Sequence, residues 1–96
     1  MQFVSLHHHT TFSYGDAFGL PREHFQRVAE LGMKALAITD HGNTSAHVQA
    51  EKASKEFGIK FIPGVEGYIA KAEEMRKCHQ TILAMNQTGL ENLNRW

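Results

Sequence analysis

The chain has 96 residues, of which ten are lysine or arginine, ten are aspartate or glutamate and seven are histidine, so its formal charge is zero with neutral histidines. No global basic field attracts it to nucleic acid or a membrane surface, and no apolar run approaches the roughly 20 residues that a membrane span needs. Its single cysteine, Cys78, excludes an internal disulfide, and the lack of a secretory signal pattern predicts a cytoplasmic protein.

The first predicted element is a short buried strand over residues 3–7, because this apolar run is bounded by polar residues. In an extended segment, side chains alternate between the two faces. His7 and His9 are therefore expected to point to one side and His8 to the other. Because the histidine triplet continues a strand, it is not typical of an affinity-tag remnant.

A helix is predicted over about residues 21–31, with a proline at its start and Gly32 as its left-handed stop. The apolar run 34–39 that follows predicts a buried strand. This strand leads directly into Asp40 and His41. The sequence therefore places a carboxylate and an imidazole at the exit of a buried strand.

A second helix is predicted after residues 43–45, any of which can supply the capping side chain, and it ends at Gly58. A third strand over 60–66 contains a Pro-Gly pair, which predicts a bulge or bend in its second half. Glu66 lies near the exit of this strand.

The remaining residues predict a helical turn or two over 70–77 and a fourth strand over 80–85. Thr88 and Glu91 form a capping-box pattern for a last helix that runs to Trp96.

Alternating strands and helices predict an α/β fold with parallel strands and right-handed crossovers, as in an α/β barrel or an open sheet. Four strands cannot close a barrel, so residues 1–96 are expected to be the N-terminal part of a longer domain. Function gathers where the strands of such folds end. Three segments deliver ligand-type side chains to this rim: His7 and His9, Asp40 and His41, and Glu66.

Imidazole and carboxylate groups together suit divalent ions such as zinc or manganese, with magnesium also open for the carboxylates. Each group taken alone also has an ordinary structural interpretation. A single His-x-His pair is frequently incidental. Asp16 can cap a turn, Asp40 can belong to a plain turn, and Glu66 can form a structural salt bridge.

The other histidines favour ordinary roles. His24 and His47 lie on helix faces and are expected to be solvated. His79 follows Cys78, but adjacent residues of a strand face opposite ways, which argues against a thiol–base pair. Cys78 is expected to be a buried thiol.

Four stretches carry a family resemblance. They read FVxLHxHTxFSxxD over 3–16, TDHGN over 39–43, GIKxIxGxExYxA over 58–70 and HxxxLAxNxxGxxNL over 79–93. Together they resemble the PHP (polymerase and histidinol phosphatase) domain at the N-terminus of bacterial DNA polymerase III alpha subunits. The last stretch is similar to the replicative polymerase branch in particular.

The resemblance implies a partial, distorted β/α barrel of about four βα units whose rim holds up to three divalent metal ions in the complete domain. Asp40 would then orient its neighbours as an outer-shell carboxylate, and Glu66 would bridge two ions. The implied metal ligands are His7, His9, Asp16, His41, Glu66 and His79, and the implied catalytic residues are the first five of these with Asp40. The resemblance alone supports His79, because parallel strands begin at the opposite end of a barrel from the site.

The resemblance also implies a function: metal-dependent phosphoester hydrolysis, as a 3'-to-5' exonuclease within a DNA polymerase III alpha subunit. DNA and other replisome subunits would be partners of the full-length polymerase, with no membrane partner. Two alternatives stay open. One is a free-standing PHP phosphatase acting on a small ester such as histidinol phosphate. The other is a metal-stabilised, non-catalytic platform that binds replisome subunits.

Overall fold

The computed structural model describes residues 3–13, 15, 17–69 and 78–95. The described residues form three helices and three strands. In chain order they are α1 (Pro21–Glu30), β1 (Ala35–Ile38), α2 (His47–Phe57), β2 (Lys60–Ile69), β3 (Cys78–Leu83) and α3 (Gln87–Arg95). The predicted α/β class is confirmed.

The sheet has the order β1-β2-β3, and its strands are not all parallel. Strand β1 pairs in parallel with residues 60–63 of β2, whereas β3 pairs antiparallel with residues 64–69. The expectation of exclusively parallel strands is therefore wrong. Its physical reason is the short connection from β2 to β3, since a parallel crossover needs a dozen or more residues.

Of the bulge or bend predicted at Pro63 and Gly64, the bulge is wrong, because β2 is continuous there and neither of its pairings has an extra residue. Instead, this pair marks the point at which β2 changes its partner. Pro63 lies opposite Ile38, the last residue of β1, and Gly64 lies opposite Leu83, the last residue of β3. A proline cannot donate to a strand ladder, and here it stands where the parallel ladder ends.

The N-terminal segment lies beside β1 without forming the regular strand predicted over 3–7. Its one bridge in the described residues is parallel and joins Ser5 to Leu36. The amide of Ala37 donates to the Ser5 carbonyl at 3.0 Å, and the amide of Thr39 donates to the His8 carbonyl at 2.8 Å. These contacts hold the segment beside β1, although its backbone bends at residues 6 and 7 and has one residue more than β1 between the two hydrogen bonds.

The predicted stops of the first two helices are confirmed, because Gly32 and Gly58 adopt φ values of +76° and +66°. The predicted cap of the second helix is wrong. Ala46 occupies the N-cap of α2 without a side-chain hydrogen bond. Asn43 instead accepts a hydrogen bond from the Ser45 amide at 3.1 Å, forming a turn before the helix.

Helix α3 begins at Gln87, two residues earlier than a capping box of Thr88 and Glu91 requires. The Asn86 side chain accepts a hydrogen bond from the Gly89 amide at 2.8 Å, so Asn86 caps this helix in place of Thr88 and Glu91. Residues 70–77, where a helical turn was expected, and Trp96 lie outside the described residues. None of the helices in the described ranges is long and apolar enough to cross a membrane.

The core forms where α1 and α2 pack against β1 and the start of β2. Burial of apolar side chains stabilises such a core by about 25 cal/mol per Å² of area removed from water. The buried strand β1 leads into Thr39 and Asp40, which are 0% and 1% exposed, and this fixes the backbone that carries His41. The core residues are Phe25, Val28, Leu36, Ile38, Ala46, Ala50, Ala53 and Ile59.

Candidate metal centre

Four imidazoles surround the carboxylate of Glu66, whose residue surface is 3% exposed. The Nε2 atom of His7 lies 2.9 Å from Oε2, and Nε2 of His9 donates a hydrogen bond to the same oxygen. Nδ1 of His41 lies 3.6 Å from Oε2. Nδ1 of His79 lies 2.9 Å from the other oxygen, Oε1. The structure thus brings together five of the six predicted ligands.

Backbone pairing explains why these side chains converge. His41 and Glu66 form a parallel bridge, in which the Gly42 amide donates to the Glu66 carbonyl at 2.9 Å and the Glu66 amide donates to the Asp40 carbonyl at 3.0 Å. Alternation along the first segment directs both His7 and His9 toward the same carboxylate. Separate segments of the chain therefore contribute to one cluster.

The antiparallel direction of β3 explains the position of His79. His79 lies opposite Tyr68, two residues beyond Glu66, so the beginning of β3 is adjacent to the end of β2. A parallel β3 would have placed His79 at the far end of the sheet. Its contact with Glu66 thus follows from the antiparallel direction of β3, which differs from the predicted one.

The cluster contains two groups of side chains that could each hold a metal ion, and Glu66 belongs to both. One consists of His7, His9 and Glu66, and the other of His41, Glu66 and His79, with the ligand atoms of each group within 4.8 Å of one another. Imidazole nitrogen with carboxylate oxygen is a donor set that suits zinc and manganese. Asp16, the sixth predicted ligand, lies outside the described residues.

The electrostatics of Glu66 favour its charged form. Burial alone would raise the pKa of this carboxyl, but hydrogen bonds from His7 and His9 and the charge of His41 outweigh burial, so its pKa lies below the ordinary value. A buried carboxylate without such partners would be costly. Glu66 is therefore an anion that can bind a cation placed between it and the imidazoles.

Asp40 lies beside the cluster and faces away from it. Its carboxylate is 1% exposed and accepts hydrogen bonds from the amide and the hydroxyl of Thr10 and from the Ser13 hydroxyl at 2.8 Å. The same Ser13 oxygen accepts a hydrogen bond from the His41 amide at 3.0 Å. Asp40 thus connects the loop after His9 to the backbone of His41.

His8 and His24 are paired, whereas His24 was expected to be solvated. Nε2 of His8 lies 2.6 Å from Nδ1 of His24, and Nε2 of His24 donates to the Phe18 carbonyl at 3.0 Å. Burial, and then the neighbouring His24, lower the pKa of His8 to about 4. His8 is therefore neutral near neutral pH, and its side chain faces away from Glu66 as predicted.

Two further expectations are corrected. His47 is half-buried, and its Nε2 donates to the Gly64 carbonyl at 2.8 Å, while its ring packs edge-on against Phe61. The helix face that carries it is covered by β2. Cys78 is exposed, although a buried thiol was expected, because it opens β3 where this strand pairs with the exposed end of β2.

Tyr68 adjoins the cluster and was not singled out as a site residue. Its ring stacks on His41 with centroids 6.1 Å apart and meets the edge of His79 at 4.9 Å. Its hydroxyl lies 3.4 Å from Nδ1 of His41. The signal that could have found it is strand alternation, because residues 66 and 68 share a face.

The sequence has relatives among bacterial DNA polymerases. The DNA polymerase III PolC-type of Caldanaerobacter subterraneus subsp. tengcongensis is 38% identical over 100 residues, which cover 95% of this chain and 7% of that protein. The DNA polymerase III subunit alpha of Helicobacter pylori is 38% identical over 97 residues, covering 95% and 8%. The chain thus spans less than a tenth of the length of these relatives.

Solved structures share the fold. An amidohydrolase from Chromobacterium violaceum with bound sulfate superposes with a TM-score of 0.70 and 27% identity over 96% of this chain and 32% of that chain. A Bifidobacterium adolescentis protein assigned as a metal-dependent phosphoesterase superposes with a TM-score of 0.69 and 25% identity, again over 96% of this chain and 32% of that chain. The sequence matches the PHP domain family over residues 5–95. The chain belongs to the PHP domain family.

Proposed function

We propose that the chain is the N-terminal part of the PHP domain of a DNA polymerase III alpha-type protein, and that this domain hydrolyses phosphoesters with divalent metal ions. The observation that carries the proposal is the buried Glu66 carboxylate with imidazoles from separate segments at both of its oxygens. The polymerase context is supported by the names of the relatives, which are DNA polymerases.

The residues of the cluster divide into two candidate ion sites that share Glu66. His7 and His9 would hold one ion together with Glu66, and His41 and His79 would hold a second ion with the same carboxylate. Imidazole-rich donors favour zinc or manganese over magnesium. The complete domain, which we propose to be a distorted β/α barrel, would hold up to three ions, and Asp16 stays a predicted ligand.

Bound divalent ions supply positive charge for phosphate oxygens and lower the pKa of a coordinated water. The protein's part is to orient the ligands and to leave the substrate side open. The His7 and His79 side chains are 59% and 51% exposed, whereas the Glu66 side chain is 4% exposed. Within residues 1–96, a phosphodiester would approach over His7 and His79, because the Glu66 side chain is buried.

The proposed substrate is DNA, cleaved in the 3'-to-5' direction, with other replisome subunits as partners of the full-length polymerase in the cytoplasm. Nucleotidyl transfer would belong to other domains of that polymerase. A phosphatase for small esters has less support, because the relatives are DNA polymerases. A non-catalytic platform has less support, because all five described ligand positions carry a side chain that can bind metal.

The test is to load the purified protein with Zn²⁺ or Mn²⁺ and to measure bound metal by mass spectrometry together with hydrolysis of a 3'-labelled DNA strand. His9→Ala and Glu66→Ala should lower the metal content and the hydrolysis rate together. Glu51→Gln, an exposed surface change on α2, should leave both unchanged. Unaltered metal stoichiometry in both site variants would overturn the proposal.

A further inference from the structure

His8 and His24 form a histidine pair on the side of the N-terminal segment that faces away from Glu66. Metal binding by the cluster does not account for this pair. His8 stands between two proposed ligands, yet its ring meets His24 of α1 edge to face, with centroids 4.6 Å apart and the two nearest nitrogens separated by 2.6 Å. Nε2 of His24 in turn donates a hydrogen bond to the carbonyl of Phe18 at 3.0 Å. The N-terminal segment is thus connected to α1 and to the turn before it.

The hydrogen positions in this series of hydrogen bonds follow from its last acceptor, the Phe18 carbonyl. A carbonyl oxygen can only accept, so Nε2 of His24 carries a hydrogen. In a neutral imidazole the other nitrogen then has a lone pair, and Nδ1 of His24 accepts. The hydrogen between the rings therefore belongs to His8, and the donors point in one direction, from His8 through His24 to Phe18.

The backbone of His8 is fixed as firmly as its side chain. Its amide donates to the hydroxyl of Thr39 at 2.8 Å, and its carbonyl accepts from the Thr39 amide at 2.8 Å. Successive side chains of an extended segment point to opposite faces. Holding the His8 ring on the α1 side therefore keeps His7 and His9 on the side of Glu66.

The turn before α1 is shaped to cover His24. Gly19 has a φ of +101°, and a Cβ at this position would lie 2.7 Å from Nε2 of His24. Its carbonyl accepts a hydrogen bond from the Thr11 amide at 3.0 Å. The turn is thus joined to the ligand-bearing segment a second time, and it leaves room for His24 only because residue 19 has no side chain.

We propose that His24 is a positioning residue for the metal site, acting through His8 to fix the orientation of His7 and His9. This inference depends on the proposed function, since it concerns how the same site is held. It assigns to α1 a role in the site, although α1 contributes none of the side chains that contact Glu66 in the described residues.

The experiment compares His24→Ala and His24→Asn with the unmodified protein, using Zn²⁺ alone as the probe in competition with a chromophoric chelator. Outer-shell partners of metal ligands typically change metal affinity about 10- to 100-fold. His24 reaches the ligands only through His8, so His24→Ala should weaken one Zn²⁺ equivalent at the lower end of this range, by about 10-fold, and change the visible spectrum of the Co²⁺-loaded protein. His24→Asn keeps an acceptor for His8 and should restore most of both.

Arg27→Ala, which removes an exposed ion pair from the same helix, is the matched control and should bind as the unmodified protein does. If His24→Ala does not fold, His8→Ala and His24→Asn decide the outcome. Equal Zn²⁺ affinity and equal Co²⁺ spectra in all folded variants would overturn the positioning role alone. An unmodified protein that binds no Zn²⁺ would overturn the proposed function and this inference together.

Discussion

Glu66 and His79 meet across the antiparallel pair formed by β2 and β3, with Nδ1 of His79 2.9 Å from Oε1 of Glu66. His79 is not directly opposite Glu66. It lies opposite Tyr68, one step along the same face, and diagonal neighbours at this distance remain within reach of long side chains. As a result, His79 approaches one carboxylate oxygen while His7 and His9 approach the other.

This division predicts that the two candidate ion sites can be removed separately. His7→Ala should abolish one bound metal equivalent and retain the other, and His79→Ala should do the reverse. Glu66→Gln should weaken both, because the shared carboxylate loses its charge. Metal content after dialysis, measured by mass spectrometry, checks this. Loss of all metal in either histidine variant would contradict two separable sites.

Asp40→Asn should lower the free energy of unfolding by about 2 to 3 kcal/mol, because hydrogen bonds to a buried charged acceptor are among the stronger ones. The new amide would also direct hydrogens at Thr10 or Ser13, which already donate. Urea unfolding measures the effect. The matched control is Glu56→Gln, the same change at an exposed carboxylate that pairs with Arg22, and it should have little effect. Equal losses in the two variants would refute a structural role for Asp40.

Gly64→Ala and Gly89→Ala should change stability in opposite directions. A Cβ on Gly64 would lie 2.7 Å from the Ile82 carbonyl oxygen and 2.9 Å from Thr39 Cγ2, whereas on Gly89 its nearest neighbour is 3.5 Å away. Overpacking at position 64 should cost about 1 to 3 kcal/mol. In α3, alanine should add about 0.5 to 1 kcal/mol. Thermal and urea unfolding of both variants provide the check, and a stable Gly64→Ala protein would be inconsistent with the β2–β3 packing.

His47 should make stability depend on pH. Burial lowers the pKa of His47 below the ordinary histidine value of 6.5, so the unfolded chain takes up a proton before the folded protein does as the pH falls. Its contribution is therefore fully present above about pH 6.5 and decreases as the pH falls from there toward the lowered pKa. His47→Gln can still donate to Gly64 but does not titrate.

The measurement for His47 is the free energy of unfolding from about pH 7.5 to about pH 5. The unmodified protein should lose more stability over this interval than His47→Gln, since the carboxylates common to both proteins cancel in the difference. Parallel curves for the two proteins would show that His47 is not held neutral by the fold.

Local sequence patterns were sufficient for the start of α1, for the ends of α1 and α2, and for proposing His7, His9, His41 and Glu66 as candidate ligands, whereas the family resemblance was needed to propose His79. Proline at the start of α1 and glycines after α1 and α2 marked boundaries because their backbone preferences act within a few residues. Strand alternation separated His8 from His7 and His9 for the same reason. Caps were harder to predict, since Asn43, Thr44 and Ser45 can each satisfy the same amides and only the packing of α2 decides where the helix begins.

The sequence by itself determined that imidazole and carboxylate groups follow the first segment, β1 and β2, because residue chemistry and strand ends are local properties. Only the tertiary structure decided the direction of β3, the continuity of β2 through Pro63, the pairing of His8 with His24 and the exposure of Cys78. Each of these depends on which segments become neighbours. Chain connectivity and packing over many residues determine which segments become neighbours. A short sequence pattern around His79 or His24 therefore cannot predict their contacts.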